Sequence, residues 1–354
     1  MIERLIKRMC KRFLMAFSVI LILMFCGCSL PGNEKVNLGM EAIERQEYEE
    51  ALSLFEAALL QDENAELAYR GKGIAYMGLS KYEDSINSFK SALKSSNGLV
   101  KKVDIDINYY MALAEYKNGD IDKALDIYNA ILEYDDKAFE AYYLKGCIEL
   151  GELNKEEALM DFDKAVDIKN SDPELFISIY EALMGAGYEE EGKAYISRAV
   201  ENGGKLSKYQ SGLFAYYLGN YDEARILLEE AKDKNKDPEL VMYLGKAYVA
   251  LGDVNYAITL YSDYLNENSE SAVLYNELGL LYIRQKEYEK AYEIFEKGLE
   301  LEDNSCIQSM MFNRAVACEY MLDFKQASQL MSEYIEKYPG DEKAQREYIF
   351  LKTR

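Results

Sequence analysis

The stretch LGLLYIRQKEYEKAYEIFEKG, residues 278–298, decides the fold because small and apolar residues recur at helical spacing on both sides of a short polar segment. Ala291 is followed four residues later by Phe295 and seven residues later by Gly298. These offsets place the three side chains on one face of a helix. Gly279 lies twelve residues before Ala291, inside another apolar segment. The stretch therefore predicts two helices joined by a tight turn, closing where Gly279 removes side-chain bulk.

The same pattern recurs nine times, and the first members of its triads are spaced 34, 39, 34, 34, 32, 33, 34 and 36 residues apart. The triads are Ala51-Phe55-Ala58, Ser85-Phe89-Ala92, Ala124-Tyr128-Ile131, Ala158-Phe162-Ala165, Gly192-Ile196-Ala199, Ala224-Leu228-Ala231, Ala257-Tyr261-Tyr264, Ala291-Phe295-Gly298 and Ala327-Met331-Tyr334. The small residues twelve positions earlier are Gly39, Gly73, Ala112, Gly146, Gly212, Gly245, Gly279 and Ala315, with Tyr180 in the fifth unit. A coiled coil needs a seven-residue period without turns, so the recurrent turns exclude it.

This pattern resembles the tetratricopeptide repeat, most closely in GIAYMGLSKYEDSINSFKSA, LGKAYVALGDVNYAITLY and the opening stretch. The resemblance implies an all-α fold, a right-handed superhelical solenoid of about nine helix-turn-helix repeats over residues 36–340. We expect residues 341–354 to form a polar-faced capping helix, which a solenoid needs at its end. The pattern is irregular near residues 95–104, where five extra residues occur, and near 180–204, where Gly203 and Gly204 suggest a flexible joint.

The N-terminal segment has the composition of a secretory signal. Five basic residues precede an uncharged stretch, residues 13–25, that is too short to span a bilayer. The following Phe25-Cys26-Gly27-Cys28 resembles the lipobox of bacterial lipoproteins, although that motif usually has Leu, Val or Ile where Phe25 stands. The resemblance implies a signal peptide over residues 1–27 cleaved after Gly27, a lipidated Cys28, and a short tether over residues 28–35. A Cys-x-Cys metal clip would need further ligands in a chain without histidine, and a disulfide between Cys26 and Cys28 would be strained.

This interpretation predicts an exported protein, lipid-anchored to the outer face of the plasma membrane, or to the periplasmic face in a Gram-negative host. Without residues 1–27 the chain keeps 36 basic and 62 acidic residues, a net charge of −26. Phosphate and anionic lipid heads repel such a chain, so we expect no nucleic-acid partner and membrane contact through the lipid alone. Cys147, Cys306 and Cys318 are expected to be small buried residues.

Two short motifs resemble ligand-binding loops, but each lacks an essential residue. GYEEEGKA, residues 187–194, has the Gly and Lys spacing of a phosphate loop, yet Ala194 replaces the required Ser or Thr. DIDIN, residues 104–108, resembles the start of a calcium loop, but Tyr109 occupies the position that must be Gly. The carboxylates fall at helix positions expected to be exposed, and the chain has no histidine base. We therefore predict no enzyme activity, no metal and no cofactor.

In the resembled family, the first helix of each repeat lines a concave groove. The positions that usually reach a ligand carry mostly aromatic and aliphatic residues here, whereas the charged residues of carboxylate-clamping relatives are absent. The candidate groove residues are Tyr109, Tyr116, Tyr143, Tyr209, Tyr216, Met242, Asn276 and Phe312. Tyrosine offers contact area and a hydroxyl at small entropic cost. The alternative is that these tyrosines only pack adjacent first helices together.

These observations predict a membrane-anchored scaffold or adaptor that binds other proteins or peptides through the groove. One alternative is a regulatory or assembly subunit of an envelope enzyme or of a secretion or pilus complex. Another is a cell-wall glycan or solute binding protein, which the lack of tryptophan disfavours. The identity of the partner and the oligomeric state stay open.

Overall fold

The structure, a computed structural model, describes residues 32–232, 237–301 and 306–354. The expected signal peptide, Gly27 and Cys28 lie outside the described residues. Within the described residues the chain forms 19 α-helices and no strand, which confirms the all-α fold of helix hairpins. Contacts divide the chain into two compact units, Met1–Gly204 and Lys205–Arg354.

The first unit contains five helix hairpins. Its helices are α1 Glu34–Glu44, α2 Tyr48–Leu60, α3 Ala65–Gly78, α4 Tyr82–Ser95, α5 Lys102–Lys117, α6 Ile121–Tyr134, α7 Phe139–Gly151, α8 Lys155–Ile168, α9 Pro173–Ala186 and α10 Glu189–Glu201.

The second unit contains four hairpins and a final single helix. Its helices are α11 Lys208–Tyr217, α12 Tyr221–Lys232, α13 Pro238–Ala250, α14 Val254–Glu267, α15 Ala272–Arg284, α16 Tyr288–Leu299, α17 Ile307–Tyr320, α18 Phe324–Lys337 and α19 Glu342–Leu351.

Polar caps and turn residues define where several helices begin. The Asp237 side chain accepts a hydrogen bond from the Glu239 backbone N–H, and Pro238 occupies the first turn of α13. Between α13 and α14, Gly252 adopts φ +91°, as expected for a glycine turn. At the equivalent turns after α7 and α17, Leu153 and Leu322 take φ values of 65° and 62° without being glycine. Hairpin packing therefore imposes this conformation even where the side chain disfavours it.

The small residues of the first helices face the rings of the second helices, as the spacing predicts. A Cβ atom added to Gly73 would lie 2.4 Å from the Phe89 ring, and one added to Gly279 would lie 2.4 Å from the Phe295 ring. Both rings are fully buried. The hairpins can close this tightly only because the facing position lacks a side chain.

The irregular fifth hairpin accommodates a large residue on its first helix. Tyr180 stands on α9 where the other hairpins have a small residue, and Gly192 stands on α10 where they have alanine or serine. A Cβ atom on Gly192 would lie 3.2 Å from the Tyr180 ring. Tyr180 therefore packs against a position without a side chain, so this repeat is closely packed despite its irregular sequence.

The final helix, α19, carries exposed apolar residues in addition to the polar face that the sequence predicts. Ala344 and Leu351 of α19 are buried against the last hairpin, but Ile349 and Phe350 remain 65% and 49% exposed. The end of the second unit therefore presents apolar surface. None of the helices in the described ranges has both the length and the apolar character to cross a bilayer.

Candidate protein-binding surfaces

A surface of aromatic and charged side chains crosses three first helices of the second unit. The Tyr216 ring of α11 lies 5.3 Å from the Tyr243 ring of α13, centroid to centroid. The Lys246 Nζ lies 5.8 Å from the Tyr243 centroid and 3.2 Å from Glu277 Oε1 on α15. We call these four residues, Tyr216, Tyr243, Lys246 and Glu277, the tyrosine–lysine surface. It offers the half-buried Tyr216 ring, a cation and a carboxylate to one bound segment, whereas the Tyr243 ring is buried and packs against them.

Two features define the geometry and the protonation state of this surface. The buried hydroxyls of Tyr217 and Tyr243 are 2.8 Å apart, which fixes the two rings at right angles. Burial, the neighbouring Tyr221 and the Glu277 carboxylate raise the pKa of Tyr216, so its hydroxyl stays neutral and can donate or accept a hydrogen bond. Aromatic side chains have few rotatable bonds, so binding of a segment here restricts little side-chain motion of the protein.

An amide group lies beside this surface. Asn276 is buried next to Glu277 on α15, and its Oδ1 has no hydrogen-bond donor within the described residues. A buried amide oxygen without a donor costs free energy, on the order of 1–3 kcal/mol. A backbone N–H of a bound segment is one group that could satisfy it.

The first unit carries a buried ionic cluster between neighbouring first helices. Arg70 of α3 binds Asp106 of α5 with an Nε–Oδ2 distance of 2.5 Å, and both side chains are almost completely buried. The Arg70 guanidinium also lies 5.4 Å from the centroid of the Tyr110 ring. A second bridge joins Lys101 to Glu66 at 2.9 Å. The expectation that carboxylates are exposed was therefore wrong for Asp106 and Glu66, because cations one repeat away compensate their burial.

The candidate groove residues of the first unit differ in exposure. Tyr109 is half-buried, and burial together with the Glu140 carboxylate raises its pKa. Tyr116 is also half-buried. Tyr143 is buried, and its hydroxyl lies 3.4 Å from the Ser178 carbonyl oxygen on the next first helix. The packing alternative thus describes Tyr143, whereas Tyr109 and Tyr116 keep part of their surface open.

The candidates of the second unit divide in the same way. Tyr209 and Tyr216 are half-buried on α11, and Phe312 is half-buried on α17. Met242 is buried, and its carbonyl accepts a hydrogen bond from the Tyr261 hydroxyl at 2.7 Å. Asn276 is buried but keeps its unsatisfied oxygen. Tyr216 therefore belongs to the tyrosine–lysine surface and Asn276 is the chain neighbour of Glu277, whereas the Met242 carbonyl is part of the hairpin core.

The first of the two ligand-loop motifs lies in a regular helix, and the second begins in the turn before α10 and continues into that helix. Residues 104–108 form part of α5, as the repeat register predicts. In the other motif Lys193 pairs with Glu189 at 2.6 Å, and Glu191 pairs with Lys155 of α8. Lys193 is therefore engaged within its own helix. The described part of the chain contains no group of three or more acidic, cysteine or histidine residues suited to a metal ion.

The remaining cysteines follow the expected pattern in part. Cys318 is fully buried on α17, and burial raises the pKa of its thiol to about 11. Cys147 and Cys306 are only partly buried.

One family model of the tetratricopeptide repeat matches residues 36–99, 109–173 and 209–273, and a second model of the same repeat matches residues 272–305. These matches cover well over half of the 354 residues. The chain therefore belongs to the tetratricopeptide repeat family. Such repeats support a scaffold for protein–protein interaction, with proteins or peptides as partners.

Curated relatives share parts of this repeat array. A TPR repeat-containing protein of Methanocaldococcus jannaschii is 24% identical over 249 residues, which cover 66% of this chain and 42% of the relative. The BBSome complex member BBS4 of Bos taurus is 33% identical over 82 residues, which cover 23% of this chain and 16% of that protein. The matched regions thus span less than half the length of either relative.

The fold is similar to that of a solved tetratricopeptide repeat protein from Parabacteroides merdae. The two structures have a TM-score of 0.50 and 15% sequence identity, over 72% of this chain and 98% of that protein. This likeness shows the shared fold.

Proposed function

We propose that this protein is an exported, lipid-anchored scaffold that binds segments of other proteins through the tyrosine–lysine surface of its second unit. The observation that carries the proposal is the contact of Tyr216, Tyr243, Lys246 and Glu277 across three successive first helices. Lys246 and Glu277 side chains are 32% and 22% exposed, so they are ordered by one another and still reachable.

The chemistry of the surface favours a peptide over a small polar solute. Rings contribute apolar contact area, and the Tyr216 hydroxyl and the Lys246–Glu277 pair offer both donors and acceptors. Peptide backbones present the complementary alternation of N–H and C=O groups. Asn276 adds one buried acceptor that a backbone N–H would satisfy.

We infer that the protein acts without catalysis of its own. The repeat models account for most of the chain, and proteins built from these repeats are generally non-catalytic scaffolds. The sequence has no histidine to serve as a general base. The excess of acidic over basic residues argues against a nucleic-acid partner.

The proposed anchor is supported by the sequence of residues 24–32, MFCGCSLPG, and is tested by lipid labelling. Cells grown with a clickable fatty acid should label the wild-type protein, and Cys28→Ser should abolish the label. Cys26→Ser is the matched control, because it removes the neighbouring thiol, and it should retain the label. Equal labelling of the two variants would refute an anchor at Cys28.

The binding surface is tested by site-specific crosslinking in cells. A photoreactive amino acid at position 280 replaces Leu280, which is 37% exposed on α15 at the same repeat position as Lys246. The control site is Ile226, which is 49% exposed on the second helix α12. We expect a discrete crosslinked protein from position 280 and none of the same mass from position 226.

A variant then links the crosslink to the proposed residues. Tyr216→Ala with Lys246→Gln should remove the product formed at position 280, while circular dichroism confirms an unchanged helical content. The control Tyr256→Ala with Lys232→Gln changes the same residue types on second helices and should leave it. A crosslink that survives the first variant, or that forms equally at position 226, would refute the assignment. The identity of the captured protein separates an adaptor from an enzyme subunit.

A further inference from the structure

The end of the second unit contains an open cleft between the last hairpin and α19. It has a volume of about 400 Å³. Phe312 and Tyr320 of α17, Phe324 of α18 and Phe350 of α19 contribute aromatic rings to its walls. A cleft of this size can hold one large apolar side chain and part of the backbone beside it.

Two cations lie on these rings, outside the close ion pairs of the described residues. The Lys343 Nζ is 5.4 Å from the centroid of Phe312. The Arg354 guanidinium lies 4.8 Å from the centroid of Phe324 and 4.4 Å from that of Phe350. Within the described residues neither cation forms an ion pair, in contrast to Arg314 on α17, which pairs with Glu296 at 3.0 Å. A guanidinium stacked on rings keeps its edge N–H groups free for a carboxylate.

The surrounding charge is unusual for this chain. Residues 341–354 contain four basic and three acidic residues, a local net charge of +1, whereas the whole chain has a net charge of −22. The basic residues are Lys343, Arg346, Lys352 and Arg354. This end of the protein therefore attracts an acidic ligand that most of the remaining surface repels.

Two acids in the cleft oppose this positive charge less at and below neutral pH. Glu319 of α17 and Glu347 of α19 interact directly; burial and this like-charge contact raise the pKa of Glu319 to about 7, although the Arg354 cation acts in the opposite direction. Glu319 Oε1 is buried without a donor in the described residues. Two carboxyl groups can hydrogen-bond only when one carries a proton, so the pair has a single negative charge once protonated. Lys343 and Arg354 then exceed the acids facing them.

Exposed apolar side chains border the cleft. Tyr320 and Leu322 are 54% and 73% exposed near its wall, beside the exposed Ile349 and Phe350 of α19. A bound segment would remove part of this surface from water, with a gain of about 25 cal/mol per Å² of apolar area. The aromatic rings, the apolar rim and the two cations on the rings therefore lie close together in one small region.

We propose, on the basis of the protein-binding function above, that this cleft binds an acidic segment of a partner protein. The segment places one large apolar side chain among the rings, and its carboxylates pair with Lys343 and Arg354. The carboxylates can belong to internal Asp and Glu residues or to a chain terminus.

The absence of tryptophan from the protein makes a direct assay available. The probe is a short synthetic peptide with one tryptophan flanked by aspartate and glutamate, blocked at both ends. Its tryptophan emission should shift to shorter wavelength on binding, because the ring enters the cleft. A second peptide with a free C-terminus distinguishes internal carboxylates from a terminal one. A peptide with lysines in place of the acids should not bind.

Charge variants identify the site. Lys343→Gln with Arg354→Gln should weaken binding of the acidic peptide about tenfold, since exposed charge pairs contribute modestly each. The control Arg346→Gln with Lys352→Gln removes the same charge from residues outside the cleft lining, and binding should change less than about threefold. Phe350→Ala, at a half-exposed position, should reduce the emission shift without unfolding the unit. Affinity should also be higher at about pH 6 than at about pH 8, because Glu319 is then protonated.

Two results would overturn the proposal. One is an acidic peptide that does not bind, or that binds both charge variants equally. The other is binding of the protein to anionic lipid vesicles that depends on Lys343 and Arg354 while the peptide fails, which would assign the cleft to membrane contact. If the acidic peptide does not bind while the crosslink at position 280 still forms, this inference is refuted and the proposed function is not. A lost crosslink with retained peptide binding refutes the tyrosine–lysine surface instead.

Discussion

Replacing Gly245 by alanine tests whether hairpin closure depends on the missing side chain. The added Cβ would lie 2.3 Å from Cε1, Cζ and Oη of Tyr261. The ring cannot move aside easily, because Tyr261 is 1% exposed and its hydroxyl donates to the Met242 carbonyl at 2.7 Å. The substitution therefore either displaces the ring or separates α13 from α14.

The expected cost follows from three opposing contributions. Alanine in place of glycine favours the helix by about 1 kcal/mol. Overpacking of a filled core costs about 1–3 kcal/mol. Loss of the buried Tyr261 hydrogen bond leaves a polar group unsatisfied, at a further cost of about 1–3 kcal/mol. We therefore expect Gly245→Ala to lower the free energy of unfolding by roughly 2 kcal/mol.

Urea unfolding followed by circular dichroism measures this change, with hydrogen exchange of α13 amides to localise it. The matched control is Gly192→Ala on α10, where the added Cβ would lie 3.2 Å from the nearest atom and the helical preference should roughly offset the crowding. In a Tyr261→Leu background Gly245→Ala should cost at least about 1 kcal/mol less, since the ring is gone. A Gly245→Ala protein as stable as the wild type would refute the reasoning.

Two further predictions concern buried charges. Asp106→Ala leaves the Arg70 guanidinium buried without this carboxylate, so we expect a loss of about 3 kcal/mol in urea unfolding, whereas Glu47→Ala at the exposed Arg45 pair should cost much less. Raising the pH should destabilise the second unit. The pKa of Glu319 in the folded protein, about 7, exceeds its ordinary value of 4.5. The stability that Glu319 contributes is therefore fully present below pH 4.5 and is lost as the pH rises through 7. After discounting for partial exposure this amounts to about 1 kcal/mol, and Glu347→Gln should flatten the profile of melting temperature against pH.

The sequence predicts the hairpins well because their packing is local. Gly279 and Phe295 are sixteen residues apart, and their contact follows from helical periodicity and one short turn. The packing of Tyr180 against Gly192 was missed because a repeat pattern specifies which residue is small at each position. Packing requires only that one member of a facing pair be small.

The residues that take positive φ at the turns were predictable only where glycine marks them. Gly252 is an expected turn residue, whereas Leu153 and Leu322 carry no local signal for positive φ. A single left-handed residue costs about 1–2 kcal/mol, which the burial of two helix faces outweighs. The repeat spacing, and not the residue type, places these turns.

The candidate binding residues were harder to predict because exposure depends on the approach of neighbouring first helices. Repeat position places Tyr143 and Tyr216 on the same kind of helix face. Tyr143 is buried by contact with the next first helix at Ser178, whereas Tyr216 keeps an open side within a cluster of rings. The sequence signal for that cluster was the closeness of Tyr216, Tyr217 and Tyr221, but its partner Tyr243 comes from the following repeat. Contacts one repeat away require the stacking geometry, which periodicity alone does not supply.

The cleft at α19 shows how an exposed ring can acquire a distinct chemistry. Phe350 of α19 is 49% exposed, whereas core rings such as Phe295 are fully buried. The Arg354 guanidinium covers that ring face instead, and Lys343 covers Phe312. Cations placed on rings keep an apolar end hydrated, and they also leave donors without carboxylates in a strongly acidic protein. The side chains that cover these ring faces are therefore the same ones that attract an acidic segment.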